Sequence, residues 1–185
     1  MKADLNCGIC VLAGGMSTRM GSEKPRLLLG RRTMLGQIRA SAEKLGLPVR
    51  VIRRDQVPRC GPLGGIYTAL KTTRADAELF LACDMPFVST DLLSRILYWF
   101  KAHRREVFIT TDRRAGFPFL LPRKSLAAVE AQILNKEFSV QTLARVLQAK
   151  LLRPPREMWK DLCNVNTPGE WQAARLRWER EHRPE

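Results

Sequence analysis

Short apolar runs alternate with stretches of helical periodicity along almost the whole chain. Five runs have the length of strands, and turn residues or helix signals bound each of them. They are Gly8–Ala13, Val49–Ile52, Leu79–Cys83, Val107–Thr110 and Phe117–Leu121. The first and third are continuous apolar runs, which are typical of strands buried on both faces of a parallel sheet. Pro118 cannot donate to a neighbouring strand, so we expect the last run at an edge of the sheet.

Six helices are predicted between and after these runs. Their apolar positions lie within Met34–Leu45, Pro62–Leu70, Leu92–Phe100, Leu126–Ile133, Val140–Leu147 and Trp171–Trp178. Thr33 caps the first of them and Gly46 ends it. Ser89 or Thr90 caps the third. Residues 167–170 form a capping box with Pro168 at the first helical position, and they open the last helix.

The alternation of strands and helices predicts an α/β fold, a three-layer α/β/α sandwich with a mainly parallel sheet and right-handed crossovers. The length of 185 residues fits one domain, residues 1–185, with a real core. Ligands of such sheets bind at the carboxyl ends of the strands. The loops after Ala13, Ile52 and Cys83 are therefore expected on one rim.

Hydropathy and charge limit which cellular compartment and which classes of binding partner are expected. No apolar run approaches the roughly 20 residues that a membrane span needs, and the first run is too short for a signal peptide. We therefore expect a cytoplasmic protein with no membrane partner. The net charge of +14 favours nucleotides, phosphorylated metabolites or nucleic acid. The basic residues are scattered, without a basic tail or aromatic ladder, so nucleic acid is not an expected partner and a solvated basic surface is the other interpretation.

Cysteine and histidine usage excludes several kinds of site. An odd count of five cysteines without a secretory signal indicates reduced thiols. Cys7 and Cys10 have the spacing of a redox or metal pair, but they fall inside a predicted strand, and we expect both to be buried strand residues. His103 and His182 are the two histidines of the chain, so a histidine-rich metal site is excluded.

A glycine-rich loop follows the first strand, in the sequence LAGGMSTRMGSEK at 12–24. Gly14 and Gly15 let main-chain N–H groups approach phosphate oxygens closely. Arg19 adds a charged fork, and Lys24 adds a point charge. The spacing is neither that of a Walker A loop nor that of a dinucleotide fingerprint. The loop therefore predicts a phosphate site of another kind.

Three further motifs follow. CDMP at 83–86 places Asp84 after the third strand, where a carboxylate can bind Mg²⁺ beside a triphosphate; a plain turn before proline is the alternative. GPLGGI at 61–66 suits a close approach by a flat ligand such as a base, or an ordinary tight turn. In NVNTP at 164–168, Asn164 and Asn166 point the same way on an extended segment and could complete a metal or phosphate site.

Together these motifs resemble the molybdenum cofactor guanylyltransferase family, within the wider Rossmann-like nucleotidyltransferase fold. The family pattern runs LAGGxSxRMGxDK, GPLxGI, CDxP and NxNTP, and all four parts occur here in order. Residues 117–123 also resemble a proline-containing segment of the family. The resemblance therefore spans nearly the whole chain.

The resemblance implies a substrate pair and a role for each motif. The family joins GMP from GTP to the terminal phosphate of molybdopterin, the molybdenum cofactor, and releases pyrophosphate, with Mg²⁺ as cofactor. Implied protein partners are molybdoenzymes and other cofactor-biosynthesis proteins. Lys24, Arg19 and Asp84 are the expected catalytic residues, and Asp84 is the metal ligand. Asn164 and Asn166 are expected near the pyrophosphate or the second substrate. The nucleotide is expected on Leu12, Ala13, Gly14, Gly15, Lys24, Asp55, Gly61, Pro62, Leu63 and Asp84.

Two departures from the family pattern affect the choice of base. Glu23 replaces the usual Asp before Lys24. Between residues 45 and 61 there is room for one strand where the family has two, and Asp55 lies about one residue closer to Gly61 than the family's nucleotide-contacting Asp. A cytidylyltransferase on the same cofactor, a transferase for another phosphorylated metabolite and a non-catalytic nucleotide or cofactor carrier therefore stay open as alternatives.

Overall fold

A computed structural model describes residues 6–14 and 27–183 of the chain. A six-stranded sheet forms its centre. The strands are β1 Cys7–Leu12, β4 Val49–Ile52, β5 Ala77–Ala82, β6 Val107–Ile109, β7 Gly116–Pro122 and β8 Lys150–Leu152. Their order across the sheet is β4-β1-β5-β7-β6-β8, and β7 alone runs antiparallel to its neighbours. The predicted mainly parallel sheet is confirmed.

Two short strands, β2 Leu28–Leu29 and β3 Arg32–Thr33, form a separate hairpin. The helices are α1 Met34–Glu43, α2 Pro62–Thr72, α3 Thr90–His103, α4 Leu126–Leu134, α5 Val140–Val146 and α6 Pro168–Glu181. The predicted caps at Thr33 and Ser89 are present, and Thr167 forms the full capping box with Glu170. No helix within residues 6–14 and 27–183 is long and apolar enough to cross a bilayer.

Helices cover both faces of the sheet, as a three-layer sandwich requires. Ile9 and Val11 of β1 pack in the core shared with α1 and α3. Cys10 and Leu12 point to the other face and pack with α2, α4 and α5. Successive strand residues point to opposite faces of the sheet, so Cys7 and Cys10, three positions apart, pack in the cores on opposite faces. Both are free, buried thiols, as predicted, and they cannot form a redox pair.

The edge position predicted for the strand around Pro118 is wrong. Strand β7 lies inside the sheet, between β5 and β6. Its pairing with β5 ends at Phe119, and its register with β6 shifts between Phe108 and Ile109. Pro118 falls at this irregularity, so neither neighbouring strand needs the N–H that it lacks.

Candidate active site at the carboxyl edge of the sheet

A cavity of about 1170 Å³ opens at the edge of the sheet where β4, β1 and β5 end and β7 begins. This is the rim that the topology rule predicted. Leu12 of β1, Ala82 of β5 and Phe117 of β7 line the cavity, together with Arg53, which directly follows β4. Ligand sites commonly measure about 300–1000 Å³, so the cavity has room for a nucleotide together with part of a second ligand.

The end of β1 forms the floor of this cavity. The N–H of Ala13 donates to the carbonyl of Ile52 at 2.8 Å, and the N–H of Cys83 donates to the carbonyl of Leu12 at 3.1 Å. The turn after β1 is thereby tied to both neighbouring strands. Gly14 is exposed and lines the cavity. The expected phosphate ligands Gly15, Arg19 and Lys24 lie outside the described residues.

Asp84 lies at the tip of β5 and lines the same cavity as Gly14. Its side chain is half-buried. The main-chain carbonyl of Asp84 accepts a hydrogen bond from the N–H of Val165 at 2.8 Å. Through this bond the segment that carries the two asparagines is held against the tip of β5.

The two asparagines are placed differently. Asn164 is exposed and lines the cavity, whereas Val165 is buried beside Met34 and Ala174. The lining that the structure describes leaves out Asn166, whose main-chain N–H donates to Glu170 at 2.6 Å. Asn164 therefore has the position expected of a site residue. Asn166 lies two residues further along the chain, next to the N-terminal cap of α6.

Asp55 also lines the cavity, and three glycines surround its carboxylate. A Cβ atom added at Gly14, Gly64 or Gly65 would lie 3.2, 2.9 or 3.3 Å from one of its oxygens. Burial raises the pKa of Asp55 above its usual value. Gly64 and Gly65 of α2 thus allow the close approach of the loop at 55–57. From the sequence, these small residues were expected to allow the close approach of a ligand.

The remaining predicted nucleotide contacts lie at the start of α2. Gly61 and Pro62 line the cavity, and Gly61 has a positive φ of 54°, which glycine adopts readily. The Leu63 side chain is fully buried in the core beneath α2, and its N–H donates to the carbonyl of Cys60 at 3.2 Å. Leu63 therefore faces the core from this turn.

The cavity lining also includes residues that the sequence did not single out for it. Among them, Arg53, Arg54 and Arg59 lie on the loop between β4 and α2, and Phe117 is the second residue of β7. The strand-tip rule had placed the loop after Ile52 on this rim, so the arginine pair at its start could have been found. Phe117 depended on the antiparallel placement of β7, which the sequence pattern did not predict.

Among the residues that the structure describes, a metal ion in this cavity would meet few protein ligands. Within the described part of the chain, no group of three or more His, Cys, Asp or Glu side chains is arranged to hold a metal ion. Asp84 supplies carboxylate oxygen and Asn164 supplies an amide oxygen in the same cavity. Such a set of one carboxylate and one neutral oxygen fits Mg²⁺, which keeps several water ligands and shares substrate phosphates, and it does not fit zinc.

Several known proteins are similar to this chain. The family described as the MobA-like NTP transferase domain matches residues 9–153. A probable molybdenum cofactor guanylyltransferase of Flavobacterium johnsoniae is 29% identical over 86% of this chain and 92% of its own. The molybdenum cofactor guanylyltransferase of Syntrophotalea carbinolica is 28% identical over 89% of both chains.

A solved structure shares the fold. The crystal structure of molybdopterin-guanine dinucleotide biosynthesis protein A from Archaeoglobus fulgidus superposes with a TM-score of 0.72. It covers 94% of this chain and 99% of its own, at 19% identity. The family match extends from β1 through β8 and so includes the glycine-rich loop and the tip of β5. This chain therefore belongs to the MobA-like NTP transferase domain family of nucleotidyltransferases.

Proposed function

We propose that this protein transfers GMP from GTP to the terminal phosphate of molybdopterin and releases pyrophosphate, in a Mg²⁺-dependent reaction. The observation that carries the proposal is the shared cavity of Gly14 and Asp84. Leu12 and Ala82 are paired residues at the ends of β1 and β5, and neighbouring strands lie about 4.8 Å apart. A phosphate on the main chain after β1 therefore lies within reach of a carboxylate after β5.

The proposed reaction is an in-line substitution at the α-phosphorus of GTP. An oxygen of the acceptor phosphate forms a new P–O bond, and the bond between the α-phosphorus and the β-phosphate oxygen breaks, so that pyrophosphate leaves with that oxygen. Such transfers depend on positioning and charge neutralisation more than on covalent help from the protein. We assign Lys24, Arg19 and the loop amides to the departing pyrophosphate.

Asp84 is the residue proposed to hold Mg²⁺, with Asn164 beside it. The ion would neutralise charge on the reacting phosphates when it is bound. Asp55 is assigned to the base, since an ionised carboxylate accepts hydrogen bonds from the N1–H and the 2-amino group of guanine, which cytosine and adenine do not present together. The family membership and the relatives named as molybdenum cofactor guanylyltransferases support the choice of GTP and molybdopterin.

The decisive experiment measures pyrophosphate release with Mg²⁺, GTP and molybdopterin. Lys24→Ala and Asp84→Ala should each slow turnover by at least about 100-fold, the scale of one lost electrostatic donor in an active site. Lys44→Ala and Asp76→Ala are matched controls. Both residues are exposed and precede a strand, so they lie at the opposite edge of the sheet.

Two of the competing functions give different results in the same assay. Turnover with CTP at a higher kcat/KM than with GTP would identify a cytidylyltransferase. Nucleotide binding without pyrophosphate release in the wild-type protein would identify a carrier. Turnover of Asp84→Ala at the rate of the controls would remove this carboxylate from the reaction.

A further inference from the structure

Three arginines line the cavity on one loop, and the nucleotide assignments above leave them without a role. Arg53 and Arg54 follow directly after β4, and Arg59 lies five residues further on. All three side chains are exposed. We propose that they form a second anion site in this cavity, which takes the phosphate group of the acceptor substrate.

The first reason is the absence of internal partners. In residues 6–14 and 27–183, none of the three guanidinium groups makes an ion pair or a side-chain hydrogen bond. Some arginines elsewhere in the fold do have such partners. Arg50 pairs with Glu78 at 2.9 Å, and Arg39 pairs with Glu43 at the same distance. Arg53, Arg54 and Arg59 therefore keep their donors available to a ligand.

The second reason is the geometry of the loop. The main-chain carbonyl of Arg53 lies 3.5 Å from the position of a Cβ added at Gly14, so this arginine starts beside the proposed phosphate loop. Arg59 has a left-handed backbone with φ of 61°, a conformation that non-glycine residues seldom adopt. It directly precedes Cys60, whose buried side chain fixes the loop before α2. Both ends of the loop are thus held while its arginines face the cavity.

The third reason is the charge of the reaction, and here the inference rests on the proposed function. A nucleoside triphosphate and a phosphate monoester are both anions, and the reaction must bring them into contact. Lys24 and Arg19 are assigned to the triphosphate, and Asp55 and Asp84 add negative charge to the same cavity. A separate set of cations is needed to hold the second anion, and guanidinium groups bind phosphate through paired N–H donors.

The test uses inorganic phosphate as the probe and a GTP analogue with a methylene group between the α- and β-phosphates, which cannot be cleaved there. Protein saturated with Mg²⁺ and this analogue is titrated with phosphate by calorimetry. We expect the triple variant R53Q/R54Q/R59Q to bind phosphate at least tenfold more weakly than the wild type. Its affinity for the analogue should change by less than threefold.

A second triple variant, R74Q/R123Q/R145Q, is the control for lost charge. It removes the same number of positive charges from exposed positions outside the cavity lining. It should bind both phosphate and the analogue as the wild type does. Equal weakening of phosphate binding in both triple variants would mean that net charge alone attracts phosphate, and it would overturn the proposal.

Two further outcomes separate this inference from the proposed function. If the cavity variant loses affinity for the analogue and keeps its affinity for phosphate, the arginines serve the nucleotide and the acceptor site is wrong. If the wild-type protein fails to bind the GTP analogue, the proposed function fails. Phosphate titration of the nucleotide-free protein then still compares the two triple variants, and loss confined to the cavity variant supports the anion site.

Discussion

The partly buried carboxyl group of Asp55 lowers the stability of the folded protein when it is ionised, and it is also the group proposed to bind the base. Burial raises its pKa in the folded protein, so folding favours the protonated form. The ionised form therefore lowers the free energy of unfolding at pH values above the ordinary aspartate pKa, and this penalty is absent at lower pH. Asp55→Asn removes the charge, so the nucleotide-free variant should gain stability relative to the wild type as pH rises from about 4 to 7.

The same substitution should weaken GTP binding at neutral pH by roughly 10- to 100-fold, the value of one lost charge-assisted hydrogen bond. Urea unfolding at several pH values and calorimetry with GTP measure the two effects. The exposed loop residue Asp112 supplies the control, Asp112→Asn. A stability difference that stays constant with pH would show that burial of the charge does not act at Asp55, and unchanged GTP affinity would remove it from the base site.

Individual site residues could be predicted where a predicted strand end or a sequence motif indicated their position. Asp84 and Gly14 directly follow strands that the apolar pattern had located, and they line one cavity. Exposed arginines give no comparable signal in a chain with 32 lysines and arginines. The strand-tip rule placed the loop that begins with Arg53 and Arg54 on this rim, but no motif marked these two arginines as site residues, and the position of β4 beside β1 confirms the rim.

Close contact between β1 and β5 explains a glycine inside a strand, where glycine is unfavourable by about 0.5–1 kcal/mol relative to alanine. Gly8 is paired with Glu78, whose buried carboxylate is held by Arg50 at 2.9 Å. A Cβ at Gly8 would lie 2.8 Å from a carboxylate oxygen of Glu78. Gly8→Ala must therefore displace a buried charged group, and we expect it to lower the free energy of unfolding by about 1–3 kcal/mol.

Equilibrium unfolding in urea checks this value. Gly169→Ala is the matched control, because a Cβ added at Gly169 meets nothing within 4 Å, and it should be neutral or slightly stabilising. If Gly8→Ala were as stable as this control, the tight packing of the two strands around Glu78 would be wrong.

Elements with strong local signals were predictable, and elements that depend on distant partners were not. The capping box of α6 is formed by four consecutive residues, 167–170, and it is present in the structure. Strand β8 has three residues and pairs with β6 across more than 40 positions of sequence. The hairpin of β2 and β3 has strands of two residues each. Neither is long enough to show a period of two, so local pattern could not separate them from loops.

The basic character of the whole molecule gives opposite salt effects on folding and on binding. A net charge of +14 concentrates like charges in the folded protein, and their repulsion lowers its stability. The same charge attracts anionic nucleotides. Raising NaCl from about 0.1 to 1 M shortens the screening length from about 10 to 3 Å. We therefore expect the unfolding temperature of the nucleotide-free protein to rise with salt, while the affinity for Mg²⁺ and GTP falls several-fold.

Thermal unfolding over this range of NaCl tests the expected rise in unfolding temperature, and calorimetry on the same sample tests the expected fall in GTP affinity. The control variant R74Q/R123Q/R145Q carries three positive charges fewer outside the cavity lining. Its unfolding temperature should rise less steeply with salt because less repulsion is left to screen, whereas its loss of GTP affinity should follow that of the wild type if local cavity charges govern binding. An unfolding temperature that falls with added salt would mean that favourable ion pairs outweigh the repulsion, and would contradict this account of the charge.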